Sequence, residues 1–251
     1  MLKQVRIIAG KELMDSWRDR RGLLSAALYS LMGPVVVWLV SLALRKGGNA
    51  GKTEVLIAMM SVFTLVSAFV GGMNVAMDSV AGERERRSLL PLLMHPVSRR
   101  NVLLGKWLAV AVFSTAGLTV NVLGFGLLLG RWPPAALALC LVPLSPMAAA
   151  LEIWVSTVCR GIKEAHTYLS MLVFLPMGVG MSMVFSPLAV RPWWNLLPVA
   201  GQQLQLEAGL GRGEWGLLRI LVLALATAVL TALALIAAAD RLEQDNVVYG
   251  G

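Results

Sequence analysis

Charge is scarce in this sequence. Asp, Glu, Lys and Arg make up 14% of its 251 residues, where soluble domains carry about 25%. Hydrophobic residues fill 57% of the chain, and the mean hydropathy is +0.73. That balance excludes an ordinary soluble domain and reads as an integral membrane protein. Cysteine is nearly absent as well, with only Cys140 and Cys159. They fall near opposite ends of one predicted helix, roughly 28 Å apart at the helical rise, so they cannot pair within the chain. No CxxC motif or His/Cys cluster points to a metal. His95 and His166 lie far apart, and neither has a serine or carboxylate spaced for a nucleophilic site.

Two further absences narrow the function. The first twenty residues are too charged for the apolar core of a cleavable leader and no A-x-A site follows, so the first span is expected to serve as its own insertion signal. The run Gly47-Gly-Asn-Ala-Gly-Lys-Thr53 looks like a phosphate-binding loop but fails as one. Only three residues separate Gly47 from the Gly-Lys pair, Lys46 stands where the glycine belongs, and no strand precedes it. The chain therefore carries no nucleotide site or cofactor of its own. The net charge of +8 does not indicate nucleic acid, because the basic residues sit in short collars beside apolar spans.

What the sequence does hold is six apolar segments of membrane length, at about 23–44, 55–76, 107–129, 135–158, 167–185 and 215–239. The fold class expected is all-α integral membrane, one transmembrane domain over the whole chain. Gly33-Pro34, Pro143 and Pro146 are expected to bend their helices. Residues 1–21 interleave six basic side chains with Leu2, Val5, Ile8, Ala9, Leu13 and Trp17 on one face, Ile7 and Met14 lying off it. This reads as an interfacial helix held by its apolar face and anionic lipid, with a solvated charged helix as the alternative. Residues 186–214 are too polar to span, yet Trp193, Trp194, Leu196 and Leu197 keep them near the membrane; short re-entrant or interfacial helices are expected there.

Charge placement orients the whole. Fifteen of the 22 Lys and Arg residues fall on the side that holds both termini, the second loop and the fourth loop; seven fall opposite. Both termini and residues 81–106 are therefore expected in the cytoplasm. Trp132, Trp193, Trp194 and Trp215 then form an outer aromatic belt, with Trp17 and Trp107 at the inner one.

Within the spans, Glu152 is the one carboxylate well inside, about two turns from Arg160. It reads as a cation or proton site, as a polar lining of a path, or as a salt bridge to Lys106 or Arg160 pinning span four to span three. Asp78 is a capped or snorkelling end. Asn74 and Asn121 either hydrogen-bond between helices or line a path. Gly126 and Gly130 form a small-xxx-small pair.

The second loop is the organising stretch: Ala81-Gly-Glu-Arg-Glu-Arg-Arg-Ser-Leu-Leu-Pro-Leu-Leu, then His-Pro-Val-Ser-Arg-Arg and Leu104-Gly-Lys106. It resembles the cytoplasmic loop of ABC-2-type exporter permeases, nearest the NatB-like sodium-extrusion branch. Lys163-Glu-Ala-His-Thr-Tyr168 and Asn195-Leu-Leu-Pro-Val-Ala-Gly-Gln202 are similar to that branch too. The resemblance implies a half-transporter of the bacterial inner membrane that dimerises and is driven by a separate ATP-binding cassette subunit holding ATP and Mg. It places Glu83, Arg84, Glu85, Arg86, Ser88, Leu89 and Leu92 on a coupling helix against that ATPase, and leaves Glu152, Asn121 and Asn74 for the translocation path. Members often carry a large insertion between spans one and two; here only Arg45–Glu54 stands there, which argues against an outer docking domain. Expected cargo is a cation, sodium included, or a small or amphipathic molecule. The rivals are an ion-gradient-driven transporter or channel using Glu152, and an intramembrane enzyme.

Overall fold

A computed structural model describes residues 2–44, 52–88, 91, 97–130, 132, 135–185, 192–211 and 216–243. Leu89, Leu92 and His95 of the second loop lie outside the described residues. So do most of the loop after the first long helix, Arg131, Trp215 and the tail.

The described residues are helical, without strands. In chain order they form α1 (Leu2–Arg18), α2 (Arg20–Leu44), α3 (Lys52–Met77), α4 (Arg99–Leu129), a short α5 (Ala138–Leu141), α6 (Leu144–Val158), α7 (Ile162–Phe185), α8 (Ala200–Gly211) and α9 (Leu217–Glu243). Four of these helices are long and apolar enough to cross a membrane: α2, α3 with its continuation to Glu85, α4 and α9. The 24-residue α7 is long enough for a span as well. The predicted fourth span is not one helix. A 3-10 turn at Ala135–Leu137, then α5, then α6 are separated at Val142-Pro143, where the proline cannot donate to the ladder. Cys140 accordingly sits on α5, and Cys159 just past the end of α6. By contrast, α2 runs unbroken through Pro34.

Helices α3 and α4 pair along their length at the centre, with α6 against both, α2 across the other side, α7 on α3 and α9 on α6. Glycines set how close the central pair comes. A Cβ on Gly71 would lie 2.9 Å from the Phe113 carbonyl, and one on Gly117 would lie 2.8 Å from the Gly71 Cα. Two apolar clusters flank this contact. One gathers Leu65, Phe69, Leu144 and Met147 with Leu206 and Leu223; the other gathers Val80, Leu103, Val110, Ile153 and Leu169 with Leu242. The outward faces of α2 and α9 remain apolar and exposed, as lipid-facing helices require.

Helix α4 starts earlier than the apolar run predicts. Ser98 caps it by accepting from the Asn101 N–H at 3.3 Å, so its first two turns carry charge. It ends at Gly130, whose left-handed φ of 64° closes the helix through a bond to the Gly126 carbonyl. The Gly126/Gly130 pair thus serves a cap and a contact with the Trp132 ring rather than a helix–helix seam. Trp107 is half-buried, and its indole donates to the Pro146 carbonyl at 3.0 Å. Helix α1 packs most of its predicted apolar face on α4. Ala9 is buried, Ile8 packs on Gly105 and Gln4 accepts from Asn101, whereas Ile7, Met14 and Trp17 are exposed.

Candidate functional site

Helix α3 continues through a π turn, Asp78–Gly82, into one last α turn, Glu83–Glu85. A π turn inserts one residue and rotates the helix beyond it, and such turns cluster at functional sites. Here the Ser79 carbonyl accepts from Lys106 at 2.7 Å, and the Ala81 N–H donates to Ser156 Oγ at 3.1 Å. The backbone of α3 is thereby bonded to α4 and α6 at once.

The next three side chains each reach a different helix. Glu83, 7% exposed, holds its Oε2 2.9 Å from the Lys106 ammonium. Lys106 is 1% exposed and also donates to Glu12 Oε1 of α1 at 2.9 Å, while Lys11 stands 3.7 Å from the other Glu83 oxygen. Oxygens of Glu12, Ser79 and Glu83 thus surround the ammonium, and its charge is balanced by carboxylates, which is what burying an ion requires. Arg84 donates to the Thr157 carbonyl at 3.0 Å and to the Cys159 carbonyl, filling orphan acceptors at the end of α6. Glu85 Oε2 accepts from the Ile162 N–H at 2.7 Å, capping the start of α7. So the Glu-Arg-Glu run ties α3 to α1, α4, α6 and α7.

Beyond it the chain turns to solvent. Arg86 pairs with Asp78 at 2.7 Å, a hydrogen bond that holds its guanidinium above the ordinary value. Arg87 takes a left-handed φ of 57°, and the exposed Ser88 returns its N–H to the Glu83 carbonyl at 2.9 Å. Cys159 is buried; desolvation first, and the Glu164 charge next, push its thiol up to about 11, so it stays neutral and unreactive.

Between α1, α2 and α3 lies a cavity of about 300 Å³. Glu12, Asp15, Asp19, Asp78 and Glu83 line it against Lys11 and Arg86, and its floor reaches Asn74, Gly71 and Phe113. Asn74 donates to Ser25 Oγ at 2.8 Å and so both joins α3 to α2 and faces the cavity. Asn121 is buried and donates to the Ser30 carbonyl at 3.0 Å, joining α4 to α2.

Glu152 stands apart from all of these. It is 1% exposed, and neither carboxylate oxygen has a hydrogen-bond partner among the described residues. The predicted salt bridge to Lys106 or Arg160 does not form. Lys106 is engaged by Glu12 and Glu83, and the Arg160 side chain lies at the exposed end of the helix.

Two sets of residues escaped the sequence reading. Glu12 and Lys106 are 94 positions apart, and nothing local marks them as partners. Gln202, Gln203 and Gln205 are all buried in α8; Gln202 donates to Thr227 at 2.9 Å and Gln203 to Glu207 at 2.9 Å. Their signal was present as a Gln-Gln-x-Gln run in a segment next to apolar spans. Helix α8 starts from Val199, which has a left-handed φ of 72°, a strained state for a β-branched residue; its N–H donates to the Gln202 side chain.

Comparison with known proteins adds the identity of the scaffold. A family profile described as ABC-2 family transporter protein matches residues 6–192. The ABC transporter permease protein NatB of Bacillus subtilis strain 168 is 36% identical over 148 residues, covering 53% of this chain and 38% of its own length. The probable ABC transporter permease protein NosY of Stutzerimonas stutzeri is 31% identical over 138 residues, covering 51% of this chain and 50% of the relative. NosY of Pseudomonas aeruginosa PAO1 is 31% identical over 137 residues, covering 54% and 46%. The matched region spans half or less of the length of each of these relatives. Because the family profile covers well over half of the sequence and includes the Glu-Arg-Glu turn, this chain belongs to the ABC-2 family of transporter proteins.

Proposed function

We propose that this chain is the membrane permease of an ATP-driven exporter of the bacterial inner membrane. It has six spans and both termini in the cytoplasm. It works as a dimer with a second permease copy, and a separate cassette ATPase supplies ATP and Mg. The cargo is a cation or a small or amphipathic molecule. The observation that carries this reading is the Glu83–Glu85 turn. Force applied to the exposed Arg86, Arg87 and Ser88 just after it reaches α1, α4, α6 and α7 through charged and backbone bonds. Such a turn is suited to convert movement of a docked partner into a change of angle between α3 and α4.

The direct test is co-expression with the cassette ATPase from a neighbouring reading frame. The wild-type chain is expected to co-purify with it and to change its ATP hydrolysis rate. Charge reversal of Arg86 and Arg87 together is expected to break the association, whereas Glu85→Ala leaves the association and weakens the rate response. Full association of the charge-reversed chain would place the docking surface elsewhere. One observation favours the gradient-driven rival: the partnerless carboxylate of Glu152. That rival predicts uptake or release in vesicles without any ATPase or ATP.

A further inference from the structure

Three carboxylates are buried among the described residues: Glu12, Glu83 and Glu152. The first two share the Lys106 ammonium. The third faces nothing that can balance a charge. A Cβ on Gly72 of α3 would lie 2.8 Å from Glu152 Oε2, 2.8 Å from Val110 Cγ1 and 3.0 Å from Ser114 Oγ. The carboxyl therefore sits at the α3–α4 seam, one residue along from the close Gly71–Gly117 approach. Ser114 spends its hydroxyl hydrogen on the Ala68 carbonyl.

The charged groups around it are accounted for helix by helix. On α4 the nearest is Lys106, one turn before Val110 and held by Glu12, Glu83 and Ser79. On α3 and its π turn the next are Asp78, paired with Arg86, and Glu83. On α7, Lys163, Glu164 and His166 are confined to the first turns, and on α9 no charged residue occurs between Arg219 and Asp240. On α6 itself the next is Arg160, eight residues on and exposed. An ionised carboxylate left alone at such depth costs a few kcal/mol, and binding a proton removes the charge.

The second observation is access. The acid-lined cavity ends at Gly71 and Phe113, the chain neighbours of Gly72 and Ser114. Gly71 both lines the cavity and meets Gly117 across the α3–α4 seam, and its neighbour Gly72 faces Glu152.

We infer that Glu152 is a proton-binding site of the permease, sealed by the α3–α4 glycine contact and opened to the cytoplasmic cavity when those helices move. The inference rests on the permease reading, since the ATPase partner supplies the movement. The Glu152 carboxyl releases its proton into the cavity when the seam opens and takes one back before it closes, so no other reactant is needed.

Dicyclohexylcarbodiimide, an apolar reagent that adds to the protonated carboxyl, tests the bound proton. Membranes holding the full-length chain are treated at about pH 6 and about pH 8.5, either side of neutrality and well above the ordinary glutamate range. Mass spectrometry is expected to find the adduct on Glu152 at both pH values and to find none in Glu152→Gln. A wild-type chain unlabelled at both would overturn the site. The second arm reads the pH profile of partner ATP hydrolysis with wild-type, Glu152→Gln and Glu152→Asp chains. Wild type and Glu152→Asp are expected to bend with pH, while Glu152→Gln stays flat to within about twofold, as one site that no longer titrates requires. Superimposable profiles would make the acid purely structural and sink the inference. If no ATPase associates with the wild-type chain the permease reading fails, and the labelling arm still decides whether Glu152 holds a proton. If Glu152→Gln elutes aggregated, the bend in Glu152→Asp against wild type takes its place.

Discussion

Glu83 and Glu152 are both buried glutamates against α4, and they are solved in opposite ways. Glu83 is compensated by Lys106 at 2.9 Å, with Glu12 and the Ser79 carbonyl completing the shell. Glu152, about two turns before the end of α6, lies beside Gly72 with no hydrogen-bond partner for either oxygen among the described residues. The difference teaches that burial alone says little about a carboxylate. A paired one binds elements together; a solitary one makes the stability of its surroundings depend on whether a proton is bound.

The largest break in this comparison comes from removing the shared cation. Lys106→Met leaves two buried carboxylates facing each other and is expected to lose about 3–5 kcal/mol in thermal unfolding in detergent. Adding Glu12→Gln and Glu83→Gln to that variant is expected to restore most of the loss, because no buried charge then stands alone. A triple variant no more stable than Lys106→Met would show that packing, not charge, set the effect.

A smaller effect comes from closing the space beside Glu152. Gly72→Ala puts a methyl 2.8 Å from its carboxyl and from Val110. Overpacking of that kind, less the helix-forming gain of alanine, is expected to leave a net loss of about 1–2 kcal/mol. Adding Glu152→Ala should recover part of it, and no recovery would place the carboxyl elsewhere.

Sharper still is the pairwise contrast. Glu83→Gln leaves Lys106 with one acceptor charge fewer and is expected to lose about 3 kcal/mol. Glu152→Gln removes no ion pair and is expected to change stability by less than about 1 kcal/mol, a melting shift of only about 2–4 °C for a chain of this size. Equal losses in the two would contradict the assignment of one as paired and the other as alone.

The smallest effect concerns Cys159, beside the Arg84 contact. With its thiol at about 11 and no exposed surface, it is expected to resist iodoacetamide at about pH 8 in the folded chain and to react on denaturation. Its folded value lies above the ordinary 9.0, so the stability linked to the bound proton is present below pH 9.0 and lost as pH rises toward about 11. Modification of the folded chain at the rate of free cysteine would mean that the α6–α7 junction opens readily.

Much of this protein was legible before any coordinate. Apolar runs of membrane length, Pro143 as a break and the charged collar after the second run come from periodicity and composition, because a helix in lipid must be apolar over a fixed length. The family resemblance of Glu83-Arg84-Glu85 was likewise carried by residues adjacent in the chain. What a linear reading missed was direction. A charged run between two apolar ones reads as a docking surface for a soluble partner, and it gives no sign that Glu83, Arg84 and Glu85 also bond within the chain to Lys106, Thr157 and Ile162 of three other segments. The same holds for α1, whose most regular apolar stripe packs on α4 and leaves Ile7, Met14 and Trp17 outside.

Sequence alone determined that this chain is helical, built for a bilayer and of the ABC-2 kind, since length, hydropathy and contiguous motifs are local properties. Tertiary structure decided which buried charges are paired. An ion pair such as Glu12–Lys106 is set by how helices rotate and approach, here through a π turn and facing glycines, and no local pattern records that distance.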